Sequence, residues 1–425
     1  MDRRDFLKSA LALAALAPLA KLHAKAGADG DKSSDIVSGP GVTRRRFKNT
    51  AMTLPLLGFG CMRLPRLSPD KPDIDAATAA KMIDMALRAG CNYFDTAYMY
   101  HSGLSERFLG EALKKYPRDS YYLTDKMPVW FAKTPGDVER IFDEQLKRCQ
   151  TEYFDFYLLH SLDENHWSEA QKLRACEFLD KMKREGKIRK LGFSFHDKPE
   201  VLKKIVAARS WDFAQIQLNY LDWEDPAIEA HKCYDLCVEH GLDVYVMEPL
   251  KGGVIVNPSD EIKNDFKDFN PDKSIASFAI RFCASLEHVK IVLSGLSKME
   301  DLIDNCNTYE NFEVLSDEEN AFLEKMAAKL SQNLAVPCSE CGYCVDACPE
   351  MIPIPEYFNL YNTSKNQPES NIYRLYFDKL GDEKVPAEDC TYCGTCLDYC
   401  TQKIDIPEEL EKVCEHFEEG FSPYA

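Results

Sequence analysis

Eight cysteines near the C-terminus form two quartets with the same spacing, C-x2-C-x2-C-x3-C. The first quartet comprises Cys338, Cys341, Cys344 and Cys348, and the second comprises Cys390, Cys393, Cys396 and Cys400. With this spacing, one tight loop can direct three thiolates at one face of a 4Fe–4S cube while the fourth reaches a second cube. The repeat continues past the cysteines, because Ile352-Pro353-Ile354-Pro355 and Ile404-Asp405-Ile406-Pro407 stand at the same offset.

Zinc and disulfide bonds are the alternative uses of these cysteines. Zinc ribbons need only paired C-x2-C knuckles, and cysteines this close in sequence pair poorly as disulfides. The doubled motif resembles the bacterial two-cluster ferredoxin module, a small α+β domain that we assign to residues 331–425. The resemblance implies crossed ligation of two 4Fe–4S clusters, in which Cys400 completes the first triplet, Cys338, Cys341 and Cys344, and Cys348 completes the second, Cys390, Cys393 and Cys396.

Four residues upstream could carry acid–base chemistry: Asp95, Tyr100, Lys126 and His160. Reducing a carbonyl needs a hydride from one side and a proton from the other. A tyrosine with a pKa of about 10 is a poor acid near neutral pH, and a neighbouring lysine ammonium lowers that pKa. We expect Asp95 to pair with Lys126, and His160 to donate a hydrogen bond to the carbonyl oxygen.

The elements that position these residues alternate between short strands and amphipathic helices from about residue 46 to residue 315. This pattern predicts an α/β fold, a (β/α)8 TIM barrel, with its active site at the C-terminal ends of the strands. A doubly wound sheet is the alternative, but no G-x-G-x-x-G follows the first strand. The predicted strands are Leu56–Cys61, Tyr93–Ala97, Tyr121–Lys126, Phe154–His160, Lys190–Phe195, Phe213–Leu218, Asp243–Met247 and Lys290–Leu293.

With its polar strand ends in this order, the segment 46–330 resembles the aldo-keto reductase family. Asp95, Tyr100, Lys126 and His160 match the family's catalytic tetrad in order and context. The resemblance implies an oxidoreductase that interconverts a small carbonyl or alcohol substrate, with NADP or NAD as cofactor.

Three further positions match the family's nucleotide-binding segments: Ser194, Gln215 and Asn305. Met247 stands where the family often stacks a tyrosine on the nicotinamide, and a methionine side chain can still cover a ring. The adenine-side segment contains Lys298 but no arginine, the residue that a 2′-phosphate usually selects. The choice between NADP and NAD therefore stays open.

Joining such a barrel to clusters raises a question of electron counting. Nicotinamide transfers two electrons together, whereas a cluster moves one at a time, and no flavin site is evident to bridge them. Three hypotheses follow. The nucleotide is held as a prosthetic group; or electrons reach the barrel through the clusters, with a redox partner protein; or the molecule is an exported iron–sulfur electron carrier whose barrel only binds a ligand or partner.

The N-terminus combines paired arginines at positions 3 and 4, an apolar run over residues 10–20 and an Ala-Lys-Ala sequence ending at residue 26. These features resemble a twin-arginine signal peptide over residues 1–26, followed by a polar linker over residues 27–45. The prediction is export by the twin-arginine machinery to the periplasm. The net charge of −18 argues against a nucleic-acid partner, and no apolar run is long enough for a stable membrane span.

Overall fold

The computed structural model describes residues 36–37, 41–48, 50–68, 73–310, 312–366, 370–379 and 385–420. The predicted signal peptide over residues 1–26 lies outside this part of the chain. Among the described residues, no helix combines the length and apolarity needed to cross a bilayer.

Eight parallel strands close into a barrel in sequence order, with the last strand pairing with the first. The predicted (β/α)8 barrel is therefore confirmed, and the doubly wound alternative is excluded because an open sheet has unpaired edges. After three short N-terminal strands, Ile36–Val37 (β1), Arg44–Arg46 (β2) and Thr53–Pro55 (β3), the barrel strands are Leu57–Gly60 (β4), Tyr93–Asp95 (β5), Tyr122–Met127 (β6), Phe154–Leu162 (β7), Ile188–Phe195 (β8), Phe213–Gln217 (β9), Asp243–Met247 (β10) and Val289–Gly295 (β11).

Helices on the outside of the barrel connect these strands. Some of these helices start with a side-chain cap; the Ser316 side chain, for example, accepts from the backbone N–H of Glu319, and the Glu319 carboxylate accepts from the backbone N–H of Ser316 in a capping box. The helices from the first strand to the end of the barrel domain are Ala76–Arg88 (α1), Leu104–Leu113 (α2), Pro135–Arg148 (α3), Glu164–Lys172 (α4), Ala175–Arg184 (α5), Pro199–Ala208 (α6), Ala230–Glu239 (α7), Asp260–Phe269 (α8), Ile275–Ser285 (α9), Met299–Glu310 (α10) and Asp317–Asn333 (α11).

The end of the predicted linker is structured, which corrects the linker boundary at residue 45. Strands β1, β2 and β3 form a small antiparallel sheet at the N-terminal end of the barrel. Arg45 is buried and donates to the carbonyls of Ala284 and Val289 at 2.6 and 2.5 Å. Phe47 packs edge-on against Phe156 inside the barrel, with ring centroids 6.0 Å apart. The polar composition concealed this because the arginine meets carbonyl groups at the end of α9 rather than solvent.

The tail repeats its backbone at an offset of 52 residues, from Cys338 to Cys390. Its described part is helical, so the strands of the expected α+β domain are missing from it. The segment after each quartet enters a helix instead. A proline occupies the second position of each of these helices, where a backbone N–H would have no partner within the helix. The tail helices are Tyr343–Ala347 (α12), Ile354–Asn366 (α13), Ser370–Lys379 (α14), Thr395–Tyr399 (α15) and Ile406–Gly420 (α16).

The tail is docked on the C-terminal mouth of the barrel. Arg63, just after β4, donates to the carbonyl of Ser339 at 2.6 Å. The side chains of Gln217 and Gln402 exchange two hydrogen bonds of 3.0 Å, and Lys251 donates to Gln402 at 2.9 Å. All of these tail residues lie in or next to the cysteine quartets, so the cluster loops themselves cover the barrel.

Candidate active site and cluster sites

The predicted tetrad assembles at the ends of adjacent strands. Lys126 Nζ lies 2.5 Å from Asp95 Oδ1, 2.7 Å from the carbonyl of Thr96 and 3.3 Å from the Tyr100 hydroxyl. Lys126 is fully buried, so its ammonium requires these partners to offset the loss of water. The rings of Tyr100 and His160 meet edge-on with centroids 6.1 Å apart. The structure therefore brings all four residues together.

Burial controls the acid–base balance of the tetrad. It raises the pKa of Tyr100 well above the ordinary value, and the charges of Asp95 and Glu248 act in the same direction, while a hydrogen bond from Tyr343 opposes them. Our expectation that Lys126 lowers this pKa is therefore not met in the closed site. The physical reason is that the loss of hydration penalises the phenolate by more than the neighbouring ammonium stabilises it, and the charge of Asp95 adds to the rise. Tyr100 is thus held as a neutral proton donor.

His160 is held in its neutral form. Burial lowers its pKa well below the ordinary value, and the nearby charge of Lys126 lowers it further. Its Nδ1 is buried and has no hydrogen-bond partner among the described residues. The Trp130 ring lies 5.2 Å away and fixes the orientation of the imidazole. A neutral imidazole beside the phenol can orient a carbonyl oxygen without adding a charge.

A long cavity of about 380 Å³ runs from the tetrad along the barrel mouth. Ser194, Gln215 and Asn305, the three residues predicted to contact nucleotide, all line it. Ser194 and Gln215 are register partners on β8 and β9, and the buried Oε1 of Gln215 has no hydrogen-bond partner within the described structure. Such an unsatisfied acceptor suits the amide N–H of a bound carboxamide.

The far end of the long cavity carries little positive charge. Asn305 donates to Ser294 Oγ at 2.9 Å, which fixes the amide at the wall. Lys298 lines the cavity together with Asp301 and Asp304. The pKa of Asp301 is raised by partial burial, and Lys298 opposes this shift. The two carboxyl groups therefore compete with any ligand anion for the lysine.

The four cysteines of the crossed second set surround one cavity. Cys348, Cys390, Cys393 and Cys396 all line one small space. The fourth cysteine of the first quartet is therefore next to the first three of the second quartet, as crossed ligation requires.

The thiols of the first set are close enough to one another to affect their pKa values. Burial raises the pKa of Cys338 to about 12, and the nearby Cys341 and Cys400 contribute to the rise. Cys344 is likewise surrounded by Cys338, Cys341 and Cys400. In the described residues, no three His, Cys, Asp or Glu side chains meet around a single ion-sized point. A cube differs from such a site, because its four thiolates bind four separate iron atoms.

The sequence did not reveal the residues that the tail contributes to the barrel. Cys341, Tyr343 and Thr401 line the long cavity beside the tetrad. Tyr343 and Thr401 also line a second space of about 160 Å³, the side cavity, whose opposite walls include Trp130 and His166. In the motif Tyr343 is a spacer between two cysteines, Thr401 follows the last cysteine, and Cys341 is a predicted cluster ligand; no pattern in the sequence marks any of them as facing the barrel.

Comparisons with known proteins agree with this architecture. Residues 56–328 match the aldo/keto reductase family, and residues 337–404 match a 4Fe-4S dicluster domain. An uncharacterized oxidoreductase of Bacillus subtilis is 25% identical over 62% of this chain and 89% of its own length. The NADH-specific methylglyoxal reductase of Escherichia coli is 26% identical over 48% of this chain and 67% of its own.

Solved structures show the same barrel. An aldo-keto reductase of Bacillus halodurans in its holo form superimposes with a TM-score of 0.55 and 25% identity, covering 67% of this chain and 95% of that one. An aldo-keto reductase of Klebsiella pneumoniae in complex with NADPH gives a TM-score of 0.51 at 24% identity, covering 65% and 92%. The family match spans well over half of the chain, its barrel is closed and its tetrad is assembled, so this protein belongs to the aldo/keto reductase family and carries a 4Fe-4S dicluster domain after its barrel.

Proposed function

We propose that this enzyme interconverts a small carbonyl compound and its alcohol, with a nicotinamide nucleotide in the long cavity and two 4Fe–4S clusters in the tail. One observation carries the proposal: Lys126 Nζ lies 2.5 Å from Asp95 and 3.3 Å from the Tyr100 hydroxyl, and this hydroxyl opens into the long cavity that Ser194, Gln215 and Asn305 line. Proton donor and nucleotide contacts therefore share one space.

Each residue of the tetrad has a step that its environment supports. Tyr100 keeps its proton until the carbonyl oxygen gains charge, and then donates it. Lys126 stabilises the resulting phenolate, and Asp95 fixes the ammonium in place. His160 stays neutral and orients the carbonyl oxygen toward the phenol. A nicotinamide nucleotide, when bound, supplies the pair of electrons as a hydride.

The tail covers the nucleotide path, which favours a tightly held cofactor. Arg63 joins β4 to Ser339, and the Gln217–Gln402 amide pair closes the mouth nearby. A nucleotide in the long cavity would have to displace these contacts to leave. We predict export to the periplasm, where free nucleotide is expected to be scarce. We therefore propose that the long cavity retains its nucleotide as a prosthetic group.

The clusters would supply one-electron chemistry beside the tetrad, held by the two crossed sets of cysteines. Because a cluster moves single electrons, the chain's own role is to place the first set close to the long cavity, which Cys341 lines. We propose a redox protein as the partner that exchanges electrons with the clusters.

The test uses anaerobically purified, full-length protein with its iron content determined. NADH or NADPH oxidation is followed with a panel of methylglyoxal, glyoxal, glyceraldehyde and 4-nitrobenzaldehyde. We expect carbonyl reduction, and Tyr100→Phe should lower kcat/KM by about 10²–10⁴-fold while leaving iron unchanged, because it removes one hydroxyl without altering the fold. Tyr98→Phe is the matched control, since that hydroxyl bonds Glu144 outside the tetrad.

Nucleotide in the supernatant of denatured protein separates the hypotheses. Stoichiometric nucleotide supports the prosthetic group. Full activity in Tyr100→Phe contradicts the tetrad assignment. Protein that contains no nucleotide, binds neither added NADH nor NADPH and still exchanges electrons through its iron would instead be the exported electron carrier whose barrel binds only a ligand or partner. Fusion of residues 1–45 to a reporter enzyme tests the twin-arginine export itself.

A further inference from the structure

Tyr343 belongs to the first cysteine loop, and its side chain lines the active-site cavity of the barrel. It stands between Cys341 and Cys344 and begins helix α12. Its side chain lines both the long cavity and the side cavity. The long cavity is also lined by Tyr100 and His160, so Tyr343 forms part of the wall of the space in which a carbonyl substrate would lie.

Tyr343 acts on two residues of the tetrad. Its ring meets the His160 ring edge-on, with centroids 6.4 Å apart and planes at 86°. It also shares the wall of the long cavity with Tyr100, and it lowers the pKa of that phenol against the larger effect of burial. The tail residue therefore lies beside both side chains that face the carbonyl oxygen in the proposed reaction.

The second cysteine loop shows that binding a cluster does not require this tyrosine. At the offset of 52 residues, the position of Tyr343 is occupied by Thr395. The Thr395 hydroxyl lies 3.4 Å from Cys393 Sγ in its own loop. Both loops start their helix after a glycine in the left-handed region, Gly342 and Gly394, so their backbones match while these side chains point to different neighbours.

We infer that Tyr343 is a positioning residue of the active site, contributed by the first cysteine loop, which holds the Tyr100 hydroxyl and the His160 ring in place for the carbonyl substrate. The inference rests on the proposed carbonyl–alcohol chemistry. It makes the barrel site complete only when the first loop is folded, and it gives the tail a function in the barrel reaction that is separate from electron transfer.

The experiment compares Tyr343→Phe, Tyr343→Ala and the control Thr395→Val in the full-length, iron-loaded protein. We expect Tyr343→Phe to lower kcat for 4-nitrobenzaldehyde by about tenfold with KM unchanged, since the Tyr343 hydroxyl favours the phenolate that forms as Tyr100 gives up its proton. Tyr343→Ala should also raise KM, because the wall of the cavity is lost. Thr395→Val removes a hydroxyl from the equivalent position and should leave both constants unchanged.

A second measurement does not depend on turnover. Benzyl alcohol, added to the dithionite-reduced protein, should change the EPR signal of the first cluster in wild type and in Thr395→Val, and should not change it in Tyr343→Phe. An unchanged kcat in Tyr343→Phe, or an equal fall in Thr395→Val, overturns the inference. Wild type that reduces no carbonyl overturns the proposed function instead, and persistence of the EPR response in Tyr343→Phe then overturns the placement of Tyr343 by itself.

Discussion

The two cysteine loops, residues 338–348 and 390–400, have matching backbones and different surroundings. Glu340 and Tyr392 occupy equivalent positions, both with φ of 54°. In the first loop Ser339 is 1% exposed and bonds Arg63 of the barrel, whereas in the second loop Tyr392 is 58% exposed and Leu397 is 41% exposed. The first loop faces the catalytic mouth, whereas the second loop is largely exposed and reaches the barrel only at its end, where Asp398, Tyr399 and Cys400 line the side cavity.

This difference separates what a duplicated motif requires from what its surroundings add. Cysteine spacing and left-handed residues recur in both loops, because each loop must wrap three thiolates around one cube. The residues between the cysteines are not constrained by the cube, so they differ according to what each loop contacts. Tyr343 meets the tetrad, while its counterpart Thr395 bonds within its own loop. Fusion to the barrel has therefore made the two halves of the tail unequal.

The largest expected effect comes from removing one cysteine of each set. Cys341→Ala and Cys393→Ala should each lose about four of eight iron atoms. Only Cys341→Ala should also lower carbonyl reduction, by about a hundredfold, because a loosened first loop displaces Tyr343 from Tyr100 and small displacements at a reacting centre are costly. The measurements are iron content and kcat/KM with 4-nitrobenzaldehyde.

The serine variants, Cys341→Ser and Cys393→Ser, provide the matched control for side-chain volume. Equal losses of carbonyl reduction in the Cys341 and Cys393 variants would contradict the unequal roles of the two loops, since the second loop has no contact with the tetrad in the described structure. Full activity in both would show that neither loop supports the barrel site.

A smaller effect is expected at Gly252, a barrel residue that packs against Ser339 of the first loop. A Cβ on Gly252 would lie 2.0 Å from the carbonyl oxygen of Ser339, and Gly252 has a φ of +68°. Gly252→Ala should therefore lower the free energy of unfolding by about 3 kcal/mol, combining backbone strain with displacement of the tail. Denaturant titration measures this, and limited proteolysis shows whether the tail is released.

Gly186→Ala measures the cost of backbone strain alone. Gly186 has a φ of +78° and nothing within 4 Å of an added Cβ, so its replacement should cost only about 1 kcal/mol. Equal costs for the two variants would mean that the contact between Gly252 and Ser339 does not limit how the tail docks.

The barrel could be predicted from sequence because its strands are short apolar runs separated by amphipathic helices. Asp243–Met247 was predicted with its observed bounds, and β7 continues two residues beyond the predicted His160 because Leu162 still pairs with Phe195. The tetrad could be predicted because each member follows a strand, and parallel strands bring their C-terminal ends to one mouth.

The relation between barrel and tail could not be predicted in the same way. Docking depends on single side chains such as Arg63 and Gln402, which carry no periodicity and lie far apart in sequence. The pKa of Tyr100 was expected to be low from its neighbour Lys126, but burial raises it, and the extent of burial at the barrel mouth depends on packing that the sequence does not state. Similarly, the polar run before residue 46 concealed the buried Arg45.

The smallest expected effect concerns pH and tests whether the tail keeps the tetrad dry. His160 is neutral when folded, because burial lowers its pKa well below the ordinary value, whereas in the unfolded chain it binds a proton near pH 6.5. The unfolded state therefore binds more protons below that pH, so stability is present above about 6.5 and is lost as the pH falls, by about 2 kcal/mol at pH 5.

Replacing His160 should remove this acid sensitivity, and replacing an exposed histidine should not. His160→Gln should flatten the stability curve between pH 7 and pH 5, whereas His240→Gln, at an exposed site, should leave the slope unchanged. The same slope should shrink in Gly252→Ala, because a displaced first loop admits water to the imidazole and lets it protonate in the folded state. A slope that is steep in wild type and equally steep in Gly252→Ala would place the cause of burial in the barrel alone, and the first loop would then cover the tetrad without drying it.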